Sequence, residues 1–200
     1  MKFENSFFIE KILKIFKEKK IVIDIGSGLK IKGGNRHWNH REWLLPYLKD
    51  YKTLDYSDEY SPDIVGDIHN LPLKDNSVDA ILCLDILEHI EDPKKATSEM
   101  YRALKPGGYI LAKTPFLFYF HAHGDYYKDY WRFTHQGLEL LFKDFECEIS
   151  PIYGKVGTLM NLIPFMNHSA HPIKKLWNFI DSKLGRTNQV SGHYTFLIKK

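Results

Sequence analysis

The run IVIDIGSG at residues 21–28 constrains the fold of this chain more than any other segment. Residues 21–23 are apolar and β-branched, which predicts a strand buried on both faces of a parallel sheet. Asp24 follows near the end of that strand, and Gly26 and Gly28 allow a tight turn in which the backbone approaches a ligand closely. Open α/β sheets bind ligands at the carboxyl ends of their strands, so this turn predicts a binding site.

Strand and helix patterns alternate along the chain, which predicts one α/β domain over residues 1–200 with a mostly parallel sheet. Two hundred residues are enough for a sizeable core. The motif KPGG at 105–108 is expected to end a helix before the next strand begins. Strands are expected at 21–25, 51–55, 64–67, 78–84, 109–113, 145–150 and 194–200, and helices at 8–16, 36–49, 93–104 and 136–143.

The segment 151–190 has the least regular pattern, and only residues 177–180 indicate a helix there. A long connection between two strands often serves as a lid or a contact surface, so we expect 151–190 to be an insertion or lid before the final strand. Residues 155–200 hold seven Lys or Arg against one Asp. We therefore weigh a peripheral membrane or dimer contact through 155–190 against an ordinary solvated basic face.

The overall charge of the chain is small, because 28 Lys and Arg against 25 Asp and Glu give a formal net charge of +3. This balance, with no basic stripe across the predicted crevice, speaks against nucleic acid as a partner. Two cysteines are too few for a disulfide framework and fit a reducing compartment, so we expect a cytoplasmic protein. No apolar run is long enough to span a bilayer.

Acidic residues follow the next three predicted strands in turn. Asp55 ends the second strand, Asp67 follows the third and Asp85 closes the fourth. A carboxylate one βαβ unit after a glycine turn accepts the ribose hydroxyls of nucleoside cofactors. Each acid taken alone is also explained as a helix cap or a turn residue. The ordered set predicts a nucleoside cofactor, and at this point an NAD-dependent oxidoreductase stays an alternative.

The chain contains, in this order, the segments IDIGSG, LDYS, GDIHNLPLKDNSVDAILCLDILEHIEDP and LKPGG. Together they resemble the cofactor-binding signatures of class I S-adenosylmethionine-dependent methyltransferases, in the methyltransferase type 11 group. The resemblance implies an α/β, Rossmann-like three-layer sandwich with a seven-stranded sheet of order 3-2-1-4-5-7-6 whose last strand is antiparallel. It also implies S-adenosyl-L-methionine as the cofactor. The third glycine that the family often has is replaced here by Lys30.

The same resemblance assigns cofactor contacts to positions of this chain. It implies that the first glycine turn lies by the methionine part of the cofactor. It further implies that Asp55 holds the ribose, that Asp67 and Ile68 hold the adenine, and that the residues after the fourth strand lie near the transferred methyl. The cofactor-binding residues expected on this basis are Asp24, Gly26, Ser27, Gly28, Asp55, Tyr56, Asp67, Ile68, Asp85 and His89.

A run rich in histidine and aromatic residues follows the fifth predicted strand, at 114–138, from where it can reach the cofactor. A hydroxyl acceptor must lose a proton, and a histidine can take it at neutral pH. We therefore expect His121 and His123 to be catalytic, with Asp125 as an orienting group or second base. Arg132 suits bidentate binding of a carboxylate or phosphate, or an ion pair with a neighbouring Asp. The residues expected to stack on the acceptor are Tyr126, Tyr130 and Trp131.

The run also resembles the H…DYWRFT…GL element of a bacterial type 11 subset that is often associated with surface-polysaccharide gene sets. This implies a small-molecule or glycan-type acceptor, methylated at oxygen, and a role in polysaccharide biosynthesis. His121, His123 and Asp125 also suit a metal ion, but two histidines without a further fixed ligand are a weak signal, and we expect no metal. The remaining alternative is a catalytically silent cofactor-binding module whose interface is 155–190.

Overall fold

A seven-stranded sheet forms the frame of the computed structural model. The structure describes residues 5–27, 46–47, 50–59, 61–124, 127–163, 176–177, 179–181, 183 and 190–200. The strands are β1 (Ile21–Ile25), β2 (Asp50–Asp55), β3 (Ile64–Val65), β4 (Val78–Leu84), β5 (Leu104–Pro115), β6 (Phe145–Pro151) and β7 (Gly192–Lys199).

The strands lie in the order β3-β2-β1-β4-β5-β7-β6, which confirms the order that the family resemblance implies. Strands β1 to β5 are parallel to one another, and β7 runs antiparallel between β5 and β6. Strand β1 is central, because Ile23 lies opposite Lys52 of β2 on one side and Ile81 of β4 on the other. The carboxyl ends of β1, β2 and β4 therefore meet at one edge of the sheet.

Helix α1 (Ser6–Glu18) covers one face of the sheet. Its N-terminus is capped by Asn5, whose Oδ1 accepts a hydrogen bond of 2.9 Å from the amide of Phe7. Lys11 reaches across to β6 and lies 2.8 Å from a carboxylate oxygen of Glu148. The residues that α1 buries against Val22, Ala80 and Leu82 are Phe8, Ile12, Ile15 and Phe16, as their spacing predicts.

Helices α2 (Pro93–Ala103) and α3 (His135–Leu141) cover the opposite face. Asp92 caps α2 by accepting a hydrogen bond of 3.0 Å from the amide of Lys95. Helix α2 passes directly into β5, since Leu104 pairs with Val78 of β4. Residues 105–108 form an irregular segment between this pair and the next pair, Tyr109 with Ala80, and Gly107 has φ +70°. The KPGG motif thus follows the end of the helix as predicted, whereas the strand begins at Leu104 and not at 109.

The segment 151–190 contains helix α4 (Lys155–Leu162), which the sequence pattern did not predict. The carboxylate of Asp181 fixes its start, because it accepts hydrogen bonds from the amides of Val156 (2.9 Å) and Gly157 (3.0 Å). Residues 176–177, 179–181 and 183 are helical, in agreement with the helix predicted around 177–180. The predicted helix at 36–49 lies outside the described residues except for 46–47.

Several large apolar side chains of this segment are exposed. These side chains support the prediction of a contact surface through 155–190. No helix among the described residues has the length and apolar character needed to cross a membrane. The exposed apolar side chains are those of Leu159, Leu162, Ile163, Leu176 and Phe179.

The imidazole of His193 gives the fold a testable pH dependence. His193 is the second residue of β7, and its side chain is buried, with 1% of the residue exposed. Burial, reinforced by the neighbouring His135, lowers its pKa from 6.5 to about 4. Below pH 6.5 the unfolded chain binds a proton at this residue, whereas the native state binds it only at about pH 4. The free energy of unfolding therefore falls as the pH falls from 6.5 to 4.

We predict that His193→Gln flattens the dependence of the free energy of unfolding on pH between 6.5 and 4. One proton corresponds to a slope of about 1.4 kcal/mol per pH unit. Urea denaturation at a series of pH values measures this slope for both proteins. An unchanged slope in His193→Gln would contradict the assignment.

Candidate active site

A pocket of about 1170 Å³ opens at the carboxyl ends of β1, β2 and β4. The strand order reverses between β1 and β4, which is where open α/β sheets bind their ligands. Pockets for one small ligand commonly measure roughly 300–1,000 Å³, so this one has room for a cofactor and an acceptor. The predicted site residues that line it are Gly26, Asp55, Tyr56, Asp67, Ile68, Asp85, His89, His121 and Tyr130.

The glycine turn closes tightly against the segment that follows β4. Gly26 has φ +64°, and its amide donates a hydrogen bond of 2.7 Å to the carbonyl of Leu54. A Cβ on Gly26 would lie 2.1 Å from Cδ1 of Ile86. Asp24 and Ser27 are buried beside this turn and are not among the described residues that line the pocket. The predicted cofactor residue Gly28 lies outside the described residues.

Two carboxylates line the pocket at the ends of β2 and β3. Asp55 Oδ1 accepts a hydrogen bond of 3.2 Å from the amide of Ser57. Asp67 Oδ1 accepts from both the amide and Nδ1 of His69, each at 2.8 Å. Burial alone acts to raise the pKa of Asp67, but these hydrogen bonds lower it below its ordinary value. Ile68 lies beside Asp67 and is buried, so an apolar surface accompanies the charge.

The end of β4 turns sharply into the pocket. Asp85 has φ +58°, in the left-handed region, and its carboxylate forms an ion pair with Nζ of Lys113 from β5. Burial acts to lower the pKa of Lys113, but the negative charge of Asp85 raises it above its ordinary value. A single turn of 3₁₀ helix, Leu87–His89, follows and directs Glu88 and His89 toward the pocket.

Glu88 is the most unusual group of the site, because its carboxyl is fully buried. Neither of its side-chain oxygens has a hydrogen-bond partner among the described residues. Burial and, to a lesser extent, the negative charge of Asp85 raise the pKa of Glu88 well above its ordinary value. The family resemblance placed residues 85–89 near the transferred methyl but did not single out Glu88, and no local sequence signal indicates that its carboxyl is buried.

Two histidines approach the same oxygen of Glu88. The distance from Oε1 is 3.8 Å to Nε2 of His89 and 4.0 Å to Nε2 of His121. Nδ1 of His89 lies 2.6 Å from the carbonyl oxygen of Lys128, so it carries the proton and leaves the lone pair on Nε2. Burial lowers the pKa of His89, which keeps its ring neutral.

The ring of His121 has a matching orientation. Its Nδ1 lies 3.2 Å from the carbonyl oxygen of Tyr119 and 3.2 Å from Oδ2 of Asp129. Both neighbours accept hydrogen bonds and lie closer to Nδ1 than the guanidinium of Arg132 does, at 3.4 Å, which favours the proton on Nδ1 and the lone pair on Nε2. Asp129 Oδ2 also accepts the amide of His121 at 2.8 Å, so one carboxylate fixes both the backbone and the ring of this histidine.

Asp129 is itself held by Arg132, which forms a bidentate ion pair with it. Hydrogen bonds from Arg132 lower the pKa of Asp129 to about 2. The other N–H groups of Arg132 donate to the carbonyls of Phe118, Tyr119 and Trp131. Arg132 therefore holds the loop together instead of lining the pocket, which corresponds to the ion-pair alternative considered for it above.

The other predicted acceptor residues are distributed unevenly. Tyr130 lines the pocket. The indole N–H of Trp131 donates a hydrogen bond of 2.9 Å to the carbonyl of Ile90. His123 is exposed and is not among the described residues that line the pocket. Asp125 and Tyr126 lie outside the described residues. Of the three predicted catalytic residues, the structure thus brings His121 to the pocket, where it joins His89 and Glu88 from the segment expected near the transferred methyl.

Comparisons with known proteins agree with this geometry. Residues 40–112 match a family model described as "Methyltransferase domain". A "Probable S-adenosylmethionine-dependent methyltransferase" of Mycolicibacterium smegmatis is 42% identical over 50 residues, which are 25% of this chain and 20% of that protein. The matches span 15%, 20% and 18% of the length of the first three curated relatives.

Solved structures share the whole fold. A SAM dependent methyltransferase from Archaeoglobus fulgidus superposes with a TM-score of 0.59 at 17% identity, over 97% of this chain and 92% of that one. The matched segment and the shared fold together support a class I S-adenosylmethionine-dependent methyltransferase domain. Phosphoethanolamine N-methyltransferase 2 of Haemonchus contortus, in complex with S-adenosyl-L-methionine, has a TM-score of 0.54 at 20% identity, over 98% of this chain and 53% of that one.

The described residues of this methyltransferase domain fit its cofactor, S-adenosyl-L-methionine. Gly26 has no Cβ that would clash with Ile86, so the backbone of the turn can lie close to the pocket. Asp55 presents a carboxylate to the pocket at the end of β2, a position that suits the ribose hydroxyls of a nucleoside in an open α/β sheet. The pocket thus combines a close backbone approach with a polar contact for a nucleoside.

We predict that Gly26→Ala weakens binding of S-adenosylmethionine by about tenfold or more, about 1.4 kcal/mol, because the new Cβ must displace Ile86 or the turn. Gly107→Ala is the matched control. Gly107 also has a positive φ, +70°, but nothing lies within 4 Å of its added Cβ. Calorimetric titration of both variants measures the effect, and equal affinities in the two would contradict it.

Proposed function

We propose that this protein transfers the methyl group of S-adenosylmethionine to a hydroxyl group of a small-molecule or glycan-type acceptor. The observation that carries the proposal is the cluster of Glu88, His89 and His121 in the wall of the pocket. A hydroxyl must lose its proton as its oxygen is methylated, whereas the bound cofactor supplies only the electrophilic methyl. The cluster offers two imidazole lone pairs next to a carboxylate, which suits this proton.

The cofactor is proposed to lie along the first four strands. In this arrangement Gly26 borders its methionine part, Asp55 accepts the ribose hydroxyls, and Asp67 with Ile68 holds the adenine. Two features support it: both carboxylates line the pocket, and Ile68 offers an apolar surface next to Asp67. The methyl then points toward the residues after β4, where the polar cluster lies.

The acceptor is proposed to enter beside the loop that follows β5. The ring of Tyr127 lies 4.4 Å from that of His89, and Tyr130 is 47% exposed at the pocket. Flat aromatic rings next to polar groups suit the apolar face of a sugar or a similar ring. This arrangement favours an acceptor that combines a hydroxyl with a flat or sugar-like face, in line with the glycan-type substrate and polysaccharide role expected above.

Asp129 and Arg132 are proposed as positioning residues. Asp129 fixes the ring and backbone of His121, and Arg132 ties Asp129 to three carbonyls of the same loop. A histidine held in this way keeps its Nε2 directed at the pocket without a costly rearrangement during the reaction. Loss of Asp129 should therefore lower turnover while leaving cofactor binding unchanged.

We predict that His121→Gln lowers kcat by about 10²- to 10⁴-fold, the usual contribution of a group that handles a proton. Affinity for S-adenosylmethionine should change less than about twofold, since His121 lies on the acceptor side. The assay follows labelled methyl transfer from S-adenosylmethionine to phenyl glycosides and to simple aryl amines. His135→Gln is the control, because His135 lies outside the pocket lining and pairs with Glu139 on α3.

Two results would contradict the proposal. One is methylation of the amines with none of the hydroxyl acceptors. The other is full turnover in His121→Gln, which would show that this histidine does not handle the acceptor proton.

A further inference from the structure

We propose that Glu88, His89 and His121 together bind a divalent transition-metal ion of the zinc type at the acceptor end of the pocket. The inference rests on the proposed methyl transfer and replaces one step of it: with the ion bound, the Nε2 lone pairs of His89 and His121 are used as ligands, so the ion and not His121 activates the acceptor hydroxyl. Binding of the ion itself does not depend on that transfer. The sequence predicted no metal. The candidate ligands there were only His121, His123 and Asp125, whereas Glu88 and His89 lie outside that histidine-rich run.

The donor atoms have the chemistry and the spacing of a metal site. One nitrogen from each histidine and one oxygen of Glu88 lie within 4.8 Å of one another, and Oε1 of Glu88 lies 3.8 Å and 4.0 Å from the two Nε2 atoms. Small side-chain shifts bring three such atoms to the bond lengths of about 2.0–2.2 Å that zinc requires. Two imidazoles and one carboxylate favour zinc-like ions over Mg²⁺ or Ca²⁺, which prefer oxygen ligands.

The surroundings of the two histidines match those of metal ligands. Metal-bound histidines usually donate their second ring N–H to a carbonyl or a carboxylate, which fixes the ring and its tautomer. Nδ1 of His89 is bonded to the carbonyl of Lys128, and Nδ1 of His121 lies beside the carboxylate of Asp129. Both Nε2 lone pairs therefore converge on Glu88 before any ion is present.

Glu88 supplies an independent observation. Its carboxyl is fully buried, and neither oxygen has a hydrogen-bond partner among the described residues. A buried polar group without a partner is costly, and such groups in native proteins usually have a partner that the protein atoms do not include. Among the described residues, the cationic side chains whose charge acts on Glu88 are committed elsewhere, since Lys113 pairs with Asp85 and Arg132 pairs with Asp129. A bound cation satisfies the carboxylate.

Three protein ligands leave a coordination position open toward the pocket, as in catalytic zinc sites. An acceptor hydroxyl bound there loses its proton to solvent more readily, because the cation stabilises the resulting oxyanion. The oxygen then forms a bond with the methyl carbon. The carbon–sulfur bond breaks, and its electron pair stays on sulfur, giving S-adenosylhomocysteine. The ion is neither oxidised nor reduced and is regenerated.

The test is a titration of the chelator-treated full chain with Zn²⁺ by calorimetry and with Co²⁺ by visible absorption. We expect one saturable site whose Co²⁺ spectrum shows nitrogen and oxygen ligation. His121→Gln and Glu88→Gln should each weaken Zn²⁺ binding by at least about 100-fold, and Asp129→Asn, which removes only the outer partner, by about 10- to 100-fold. The control His135→Gln, in a histidine–glutamate pair on α3, should leave the affinity unchanged.

A titration with S-adenosylmethionine in the same samples separates this inference from the proposed function and shows that each variant is folded. Cofactor binding with no saturable metal site would overturn the metal site and leave the methyltransferase proposal standing. Metal binding without cofactor binding would do the reverse. A site whose affinity is unchanged in both His121→Gln and Glu88→Gln would also overturn the assignment, because the ion would then lie elsewhere.

Discussion

The parallel pairing of β1 with both β2 and β4 is the constraint on which the rest of the structure depends. It brings the ends of these strands to one edge of the sheet and leaves a crevice where the strand order reverses. The turn at Gly26 then lies against Ile86 from the segment that follows β4, so a side chain at position 26 has no space. The pairing of the strands therefore determines both the position of the pocket and the need for a glycine at position 26.

A second constraint organises the acceptor side, which has little regular secondary structure. Arg132 donates to Asp129 and to three loop carbonyls, and Asp129 in turn holds His121. Charge-assisted bidentate hydrogen bonds of this kind fix a loop that has few backbone pairings of its own. The geometry proposed for catalysis therefore depends on an ion pair whose members are not among the described residues that line the pocket.

The positions of the strands, the role of α1 and the location of the crevice could be predicted from the residue pattern, because periodic burial and strand-end residues are local signals. The order of the strands followed only from the family resemblance. Helix α4 could not, since its start is fixed by Asp181, which is distant in the chain. The burial of Glu88 and its meeting with His121 also depend on tertiary packing. Arg132 shows the same limit: its pattern suits a substrate or an ion pair, and only the position of Asp129 decides between them.

The central claim is that the crevice is an adenosyl site in which Asp55 holds the ribose. Calorimetric titration with S-adenosylmethionine, S-adenosylhomocysteine and NAD tests it most directly, with Asp55→Ala compared with Asp58→Ala, an exposed acid outside the pocket lining. We expect both adenosyl ligands to bind, their affinity to fall at least about tenfold in Asp55→Ala only, and NAD not to bind. Binding of NAD instead, or equal affinities in the two variants, would contradict the account.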